Sequence, residues 1–332
     1  MLNDKTILIT GGTGSFGKSF LEMILDRYTP HRIIIYSRDE FKQSVMKAEY
    51  EKKYDMSKVR FFIGDVRDKD RLNRAFDHVD YVIHAAAMKQ VPTCEYNPME
   101  AIKTNIHGAE NVINAAIDRG VEKVVALSTD KAVNPINLYG GTKLVSDKLF
   151  VSANALSKIS RTKFSVVRYG NVAGSRGSII PIFKNFIEKG EKELPITDLQ
   201  MTRFWITLEQ GVELVFKTLE ESNGGEVYIS KIPSFLITDL AEAMLPGAKI
   251  KLIGIREGEK LHEVMITKED LPRTYEYDEH YIIHPHFDWW KFDPESIRGG
   301  KIAKLESEYS SETNSEWLTP EKLSRELKQL EY

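Results

Sequence analysis

The sequence predicts an α/β protein, a doubly wound parallel sheet followed by a smaller α/β region. Three observations predict it. Short apolar runs alternate with helix-periodic segments through residue 168, as repeated β and α elements do when they build a parallel sheet covered on both faces. The first apolar run is followed at once by spaced glycines and then by a helical pattern. Past Arg168 the texture changes to a glycine- and serine-rich stretch, Tyr169 to Ser178, too poor in packing side chains for a core element.

The bulk properties narrow the classes. At 332 residues the chain can bury a sizeable core. Its 42% apolar and 29% charged residues are those of a soluble globular protein. A net charge of −3 gives no global attraction to nucleic acid. The single cysteine, Cys94, excludes an internal disulfide and suits a reducing cytoplasm. The apolar run Thr6–Thr10 is too short for a signal peptide. No stretch reaches the roughly 18 apolar residues of a membrane span. No nucleic-acid, membrane or metal partner is expected.

Thr6-Ile7-Leu8-Ile9-Thr10 is the first strand. Gly11-Gly12-Thr13-Gly14-Ser15-Phe16-Gly17 follows, and Lys18 to Tyr28 carries helical periodicity. Strand, Gly-x-x-Gly-x-x-Gly and helix in this order place a pyrophosphate on the helix N-terminus, with glycines letting the backbone approach it. The sheet is thus of the Rossmann type. Arg32 to Tyr36 is the second strand. Ser37, Arg38 and, one turn on, Lys42 suit a 2′-phosphate better than the acid an NAD enzyme usually carries there. NADP is favoured, and Asp39 leaves NAD open. Val59 to Ile63 is the third strand, closing on Gly64-Asp65-Val66-Arg67-Asp68. Asp65 is placed to bind an adenine amino group; a helix N-cap, with Asp68 in that role, is the equal alternative. Tyr81 to His84 is the fourth strand. The small residues Ala85, Ala86 and Ala87 after it let the backbone pass close to a cofactor, and Lys89 can reach a phosphate. His84 reads as structural. Asn97 to Arg119 carries a long helical pattern, and Val121 to Ser128 is the fifth strand.

The stretch Ser128 to Lys143 organises the rest. It reads Ser128-Thr129-Asp130-Lys131, then Tyr139-Gly140-Gly141-Thr142-Lys143. On a helix Tyr139 and Lys143 share a face, so the Lys143 ammonium is expected to lower the Tyr139 pKa. A tyrosine tuned in this way can take a proton from a sugar hydroxyl while a hydride leaves the same carbon. Phe164 to Arg168 is the sixth strand. The first 168 residues form the dinucleotide-binding domain, rejoined by parts of 205–235; residues 169–332 mainly bind substrate. Helices are expected over Ile179–Lys189, Leu208–Glu221, Thr238–Leu245 and from Pro320. Arg203 and Arg256, each near a turn, suit a nucleotide diphosphate.

Together these stations resemble the extended short-chain dehydrogenase/reductase family, and more narrowly the inverting UDP-N-acetylglucosamine 4,6-dehydratases that open pseudaminic acid synthesis for flagellin or surface glycans. The resemblance covers nearly the whole chain. Its narrowest station is Asp130-Lys131, where epimerases of the superfamily have small hydroxyl residues and ordinary sugar-nucleotide dehydratases have Asp-Glu. The glycine loop and the tyrosine motif are shared across the superfamily; Tyr36 to Glu40, Arg168 to Val172, Met201 to Trp205 and Arg256 to Glu263 complete the match.

The resemblance implies an NADP-dependent dehydration at C4 and C6 with inversion at C5. Tyr139 would be the base for the 4-hydroxyl. Lys131 would take the C5 proton, its pKa expected to fall by desolvation beside a cationic cofactor. Asp130, with a raised pKa, would protonate the departing 6-hydroxyl. Thr129 would hydrogen-bond the sugar, and Lys143 would complete the catalytic set. The cofactor set is Gly11, Thr13, Gly14, Ser15, Phe16, Gly17, Ser37, Arg38, Lys42, Asp65, Val66, Ala85, Ala87 and Lys89, with Tyr139 and Lys143. The substrate set is Lys89, Asn171, Ser178, Arg203, Arg256 and Glu259. A homo-oligomer built from dimers, up to a hexamer, is expected. A UDP-sugar 4-epimerase or C5-retaining dehydratase is the alternative enzyme, and a non-catalytic NADP-binding regulator the alternative of another class.

Overall fold

The structure is a computed structural model that describes residues 1–156, 162–175, 178–286 and 294–330. A ten-stranded sheet runs through the molecule. Six of its strands are β1 (Thr6–Thr10), β2 (Arg32–Ser37), β3 (Val59–Ile63), β4 (Tyr81–His84), β5 (Lys123–Thr129) and β6 (Lys163–Tyr169). They lie in the order β3-β2-β1-β4-β5-β6, all parallel. Every residue of β1 and β4 is buried, because helices cover both faces of the sheet. That burial explains why these strands read as unbroken apolar runs. The strand order reverses between β1 and β4, whose ends pair Thr10 with His84. In sheets of this type the crevice beyond such a switch point receives the ligand.

Beyond β6 the strand Val227–Ser230 continues the parallel set. Then His280–Ile283, Thr274–Glu276 and Lys301–Ile302 follow in antiparallel pairs. The expected parallel sheet therefore has a mixed edge. Its antiparallel strands span four, three and two residues, too few for a period to be read.

The helices follow the expected pattern with one informative exception. Residues expected to form one helix from Asn97 are split into Pro98–Ile102, a π turn Lys103–His107, and Gly108–Arg119. The π turn buries Asn105, whose side chain accepts from Met88 N–H at 2.8 Å and donates to Met88 C=O at 2.9 Å and to Thr142 Oγ1 at 3.0 Å. It thereby ties the loop after β4 to the tyrosine helix, Leu138–Leu156. Single π turns are frequent at functional sites.

The main apolar core surrounds the sheet. A second cluster, centred on Ile180, Phe183, Leu194, Trp205, Phe235 and Leu240, is separate from it. Ile179–Glu188 and Ile237–Met244, the helices expected over 179–189 and 238–245, supply much of that cluster. Among the described residues no helix is long and apolar enough to cross a membrane.

Candidate active site

A cleft of about 530 Å³ opens at the carboxyl ends of β1 to β6. At one end lie the glycine loop and the tips of β2 and β3; at the other lie Thr129, Lys131, Tyr139, Lys143, Asn171 and Ser178. One wall thus joins a phosphate-type loop to a group of proton-bearing side chains.

The loop end is made by backbone shape. Gly11 has φ of +66°, and a Cβ there would stand 2.9 Å from the Ala86 Cα, so glycine is required by conformation and by space. A Cβ on Gly17 would come within 2.4 Å of the Gly12 carbonyl oxygen, which lets the helix Ser15–Arg27 start against the turn. That helix has no side-chain cap and no acid in its first turn, leaving its N–H groups and positive dipole end to an anion. This cradle fits a dinucleotide's pyrophosphate. The cleft also touches Thr13, Gly14, Ser15, Phe16, Val66, Ala85, Ala87 and Lys89, so all the loop residues named from the sequence come together.

At the ribose end Ser37, Arg38, Asp39 and Lys42 line the cleft. Asp39 caps the helix Glu40–Tyr50, accepting from Lys42 N–H at 3.0 Å, and its other oxygen is 3.0 Å from Lys42 Nζ. Arg38 is exposed, 3.8 Å from Asp65. At the β3 tip Asp68 caps the helix Lys69–Ala75, as the N-cap alternative had it, and Asp65 lines the cleft while accepting from Arg67. Burial presses the Asp65 pKa upward, but the bonds from Arg67 outweigh it and hold the carboxyl below its usual range.

The catalytic end is made by charge. β5 ends in Thr129, whose hydroxyl accepts from Lys131 N–H at 3.3 Å and opens the short 3₁₀ turn Asp130–Ala132. Asp130 is fully buried; its Oδ1 accepts from Thr129 Oγ1 at 2.8 Å and from Lys131 Nζ at 3.1 Å. Lys131 Nζ also donates to Asn171 Oδ1 at 3.1 Å. The tyrosine helix packs on this turn only because residue 140 is glycine: a Cβ there would sit 2.2 Å from the Lys131 carbonyl oxygen. Asn137 starts that helix, accepting from Gly140 N–H at 2.8 Å.

Two expectations about protons are corrected. Burial pushes the Tyr139 phenol up to about 12; Lys131 and then Thr129 oppose this. Lys143 is not among the groups that oppose burial there; its Nζ donates to the Leu127 carbonyl at 2.7 Å, and its own ammonium is disfavoured by burial, with Asp147 opposing. Lys131 is the second correction. Desolvation presses its pKa down, but the charges of Asp130 and Glu263 outweigh desolvation and hold it above the ordinary lysine value. Lys89 does shift down, by desolvation and then by repulsion from Lys131. His84 is buried and structural, with Nδ1 2.9 Å from Thr10 Oγ1 and its pKa pushed down to about 3 by burial, then by Lys143.

The two arginines expected at the nucleotide diphosphate lie outside the lining of this cleft. Arg203 is 5% exposed and stands behind the cleft wall. It donates to the Thr202 and Leu261 carbonyls at 2.7 and 3.1 Å and pairs with Glu259 at 3.4 Å. It is held by backbone acceptors, so Arg203 and Glu259 support the wall and do not line it. Arg256 is exposed on the turn 254–258, also outside the cleft lining. Ser178 lines the cleft with a buried Oγ that has no hydrogen-bond partner among the described residues. Residues the sequence reading missed include Asn105, Asn137 and Glu263. The last ends the Arg256–Glu263 station, so position alone could have marked it.

Three comparisons bear on this site. A family model described as polysaccharide biosynthesis protein matches residues 7–285. The chain is 55% identical over 328 residues, 97% of each chain, to a Campylobacter jejuni protein named UDP-N-acetylglucosamine 4,6-dehydratase (inverting). It is 42% identical, over all of this chain and 98% of the other, to a Rickettsia canadensis protein named UDP-glucose 4-epimerase. Among solved structures, Pen from Bacillus thuringiensis superposes with a TM-score of 0.88 at 39% identity, covering 98% of both chains.

Proposed function

The chain belongs to the polysaccharide biosynthesis protein family, within the extended short-chain dehydrogenase/reductases, and from that premise we propose that it is an inverting UDP-N-acetylglucosamine 4,6-dehydratase. It is a hydro-lyase of nucleotide sugars. The observation that carries the reading is the Asp130–Lys131 pair at the end of β5, with Lys131 lining the same cleft as Tyr139 and the glycine loop. An epimerase has no use for an acid and a base directed at C5 and C6.

A nicotinamide dinucleotide, when bound, supplies the acceptor and donor of one hydride. NADP is the form proposed, supported by Arg38, which is exposed at the cleft rim with a contact of 3.8 Å to Asp65 and suits a 2′-phosphate, while Asp39 is engaged by its own helix and by Lys42. The loop from Gly11 to Gly17 holds the pyrophosphate. Tyr139 Oη receives the proton of the 4-hydroxyl; Lys131 and Thr129, which already oppose the effect of burial, stabilise the phenolate. The C5 proton goes to Lys131 Nζ. This needs the neutral amine, and shifting one proton from Nζ to Asp130 Oδ1 across 3.1 Å produces both the amine and the carboxylic acid. The acid then protonates the C6 hydroxyl, which leaves as water. With the hydride returned to C6, uptake of a solvent proton at C5 from the face opposite Lys131 would give the inverted 4-keto-6-deoxy sugar, the first step of pseudaminic acid synthesis; Lys131 is left as the ammonium, Asp130 as the carboxylate, and the Tyr139 proton goes back to solvent. Asn171 and Lys89 face the sugar diphosphate from the cleft lining.

The proposed setting is the cytoplasm, where the buried thiol of Cys94 stays reduced. A homo-oligomer is supported by Tyr96, Met99 and Val145, which are 88, 56 and 41% exposed on helices that pack together, a surface suited to a second copy.

A 4-epimerase is the second reading, favoured by the Rickettsia relative's printed name. Incubation with UDP-N-acetylglucosamine in deuterated water, followed by proton NMR, separates the two. The dehydratase gives a C6 methyl signal and deuterium at C5; an oxygenated C6 with C5 protonated overturns the proposal.

A further inference from the structure

Glu263 is a buried carboxylate that the mechanism above does not use. It is 1% exposed and lies outside the cleft lining. Its Oε1 stands 3.4 Å from Lys131 Nζ and 3.9 Å from Arg203 Nε, and its Oε2 is 3.9 Å from Lys260 Nζ with no hydrogen bond. A carboxylate this buried is costly unless cations surround it. Its position is set by backbone, not by a flexible arm: Glu263 N–H donates to Ser311 Oγ at 2.9 Å, and Ser311 N–H donates to the Glu263 carbonyl at 2.8 Å.

The segment carrying it is tied to the catalytic turn at three points. Asn137, which starts the tyrosine helix, donates to the Gly258 carbonyl at 2.7 Å. Lys260 Nζ donates to the Val133 carbonyl at 2.5 Å. Glu263 meets Lys131 itself. Residues 258–263 therefore strap the region more than a hundred positions upstream that holds the proton donor and acceptor. The charged and titratable groups facing Lys131 are Asp130 on its own turn, Glu263 and Lys260 on the strap, Arg203 on Thr202–Phe204, Tyr139 on its helix and Lys89 after β4. With Glu263 removed, Asp130 is left to face the cations almost alone; Glu259 is engaged by Arg203.

We propose that Glu263 is a positioning residue for the dehydration: it holds Lys131 Nζ between Asp130 and Asn171 and keeps a proton there until the C5 step takes place. This rests on the dehydratase reading, since that step alone needs the amine.

The test uses the full-length protein, reductively ¹³C-methylated on its lysines, with Lys131→Arg assigning the Lys131 signal. In the native chain that signal should stay in its ammonium form to higher pH than exposed lysines. In Glu263→Gln its midpoint should fall by about 1–3 pH units, the effect of losing an opposite charge at this range. The acid limb of C5 deuterium exchange should move down with it while KM for the UDP-sugar is unchanged. Glu263→Asp keeps the charge but withdraws it, so its midpoint should fall less; if the glutamine variant does not fold, this one carries the test. An unmoved Lys131 midpoint overturns the proposal, even if the native enzyme makes the dehydrated product. Absence of that product with a lowered midpoint sinks the dehydratase reading instead and leaves the hold of Glu263 on Lys131 standing.

Discussion

The two ends of the cleft are built on different principles. The glycine-loop end is assembled from neighbours in sequence, and its fit is a matter of backbone shape: φ of +66° at Gly11, no room for a Cβ at Gly17, an uncapped helix start. The catalytic end brings together Asp130, Lys131, Tyr139, Asn171, Arg203 and Glu263, and its behaviour is a matter of charge balance. The first can be read from spacing. The second also depends on a distant carboxylate: after the adjacent Asp130, Glu263 is the next charge that holds the Lys131 pKa up. A site read from motif residues alone thus brings candidate proton carriers together without showing the distant charges that act on them.

Breaking the catalytic end should give the largest effect. Lys131→Ala is expected to bind NADP and UDP-sugar and to lose C5 exchange by about 10²–10⁴-fold, the usual weight of a positioned base. Tyr139→Phe should block the earlier oxidation, seen as no transient reduced-cofactor absorbance in a single turnover. Exchange at the native rate in the lysine variant removes Lys131 from the mechanism.

The comparison sharpens at a glycine on each side. Gly140→Ala forces a Cβ to 2.2 Å from the Lys131 carbonyl oxygen. It should cost about 1–3 kcal/mol in a denaturant melt, as overpacking does, and lower turnover while sparing cofactor affinity. Gly11→Ala, strained by φ and by Ala86, should do the reverse and weaken cofactor binding. Equal losses of cofactor affinity in both would mean that the two ends are not separable.

The smallest effect is expected at the ribose rim. Arg38 is exposed, so Arg38→Ala should weaken NADP binding only about tenfold, one charge-assisted contact, and leave NAD binding nearly as it was. Titration of both cofactors by fluorescence checks this, and equal losses for both would place the 2′-phosphate elsewhere.

Much of this molecule was legible because local rules agree with the fold. β1 and β4 were read at their observed bounds, since strands buried on both faces leave continuous apolar runs, and so was the helix Leu208–Glu221, whose start the structure shows closed by a capping box of Thr207 and Gln210. The antiparallel edge strands were too short to show a period, and the interrupted 97–119 helix has no local signal: Asn105 distorts it by bonding Met88. Arg203 illustrates the limit for the site. Its residue type suits a diphosphate, but backbone carbonyls at 2.7 and 3.1 Å claim it first.

By itself the sequence determined the parallel strands β1 to β6, the glycine cradle and the nomination of Asp130, Lys131, Tyr139 and Lys143 as candidates, because those depend on chain geometry within a few residues. Only the tertiary structure decided the electrostatics. Coulomb forces act through space in a water-poor interior, so Lys131 feels not only its neighbour Asp130 but also Glu263, which lies 3.4 Å away and far along the chain, where no spacing rule connects the two.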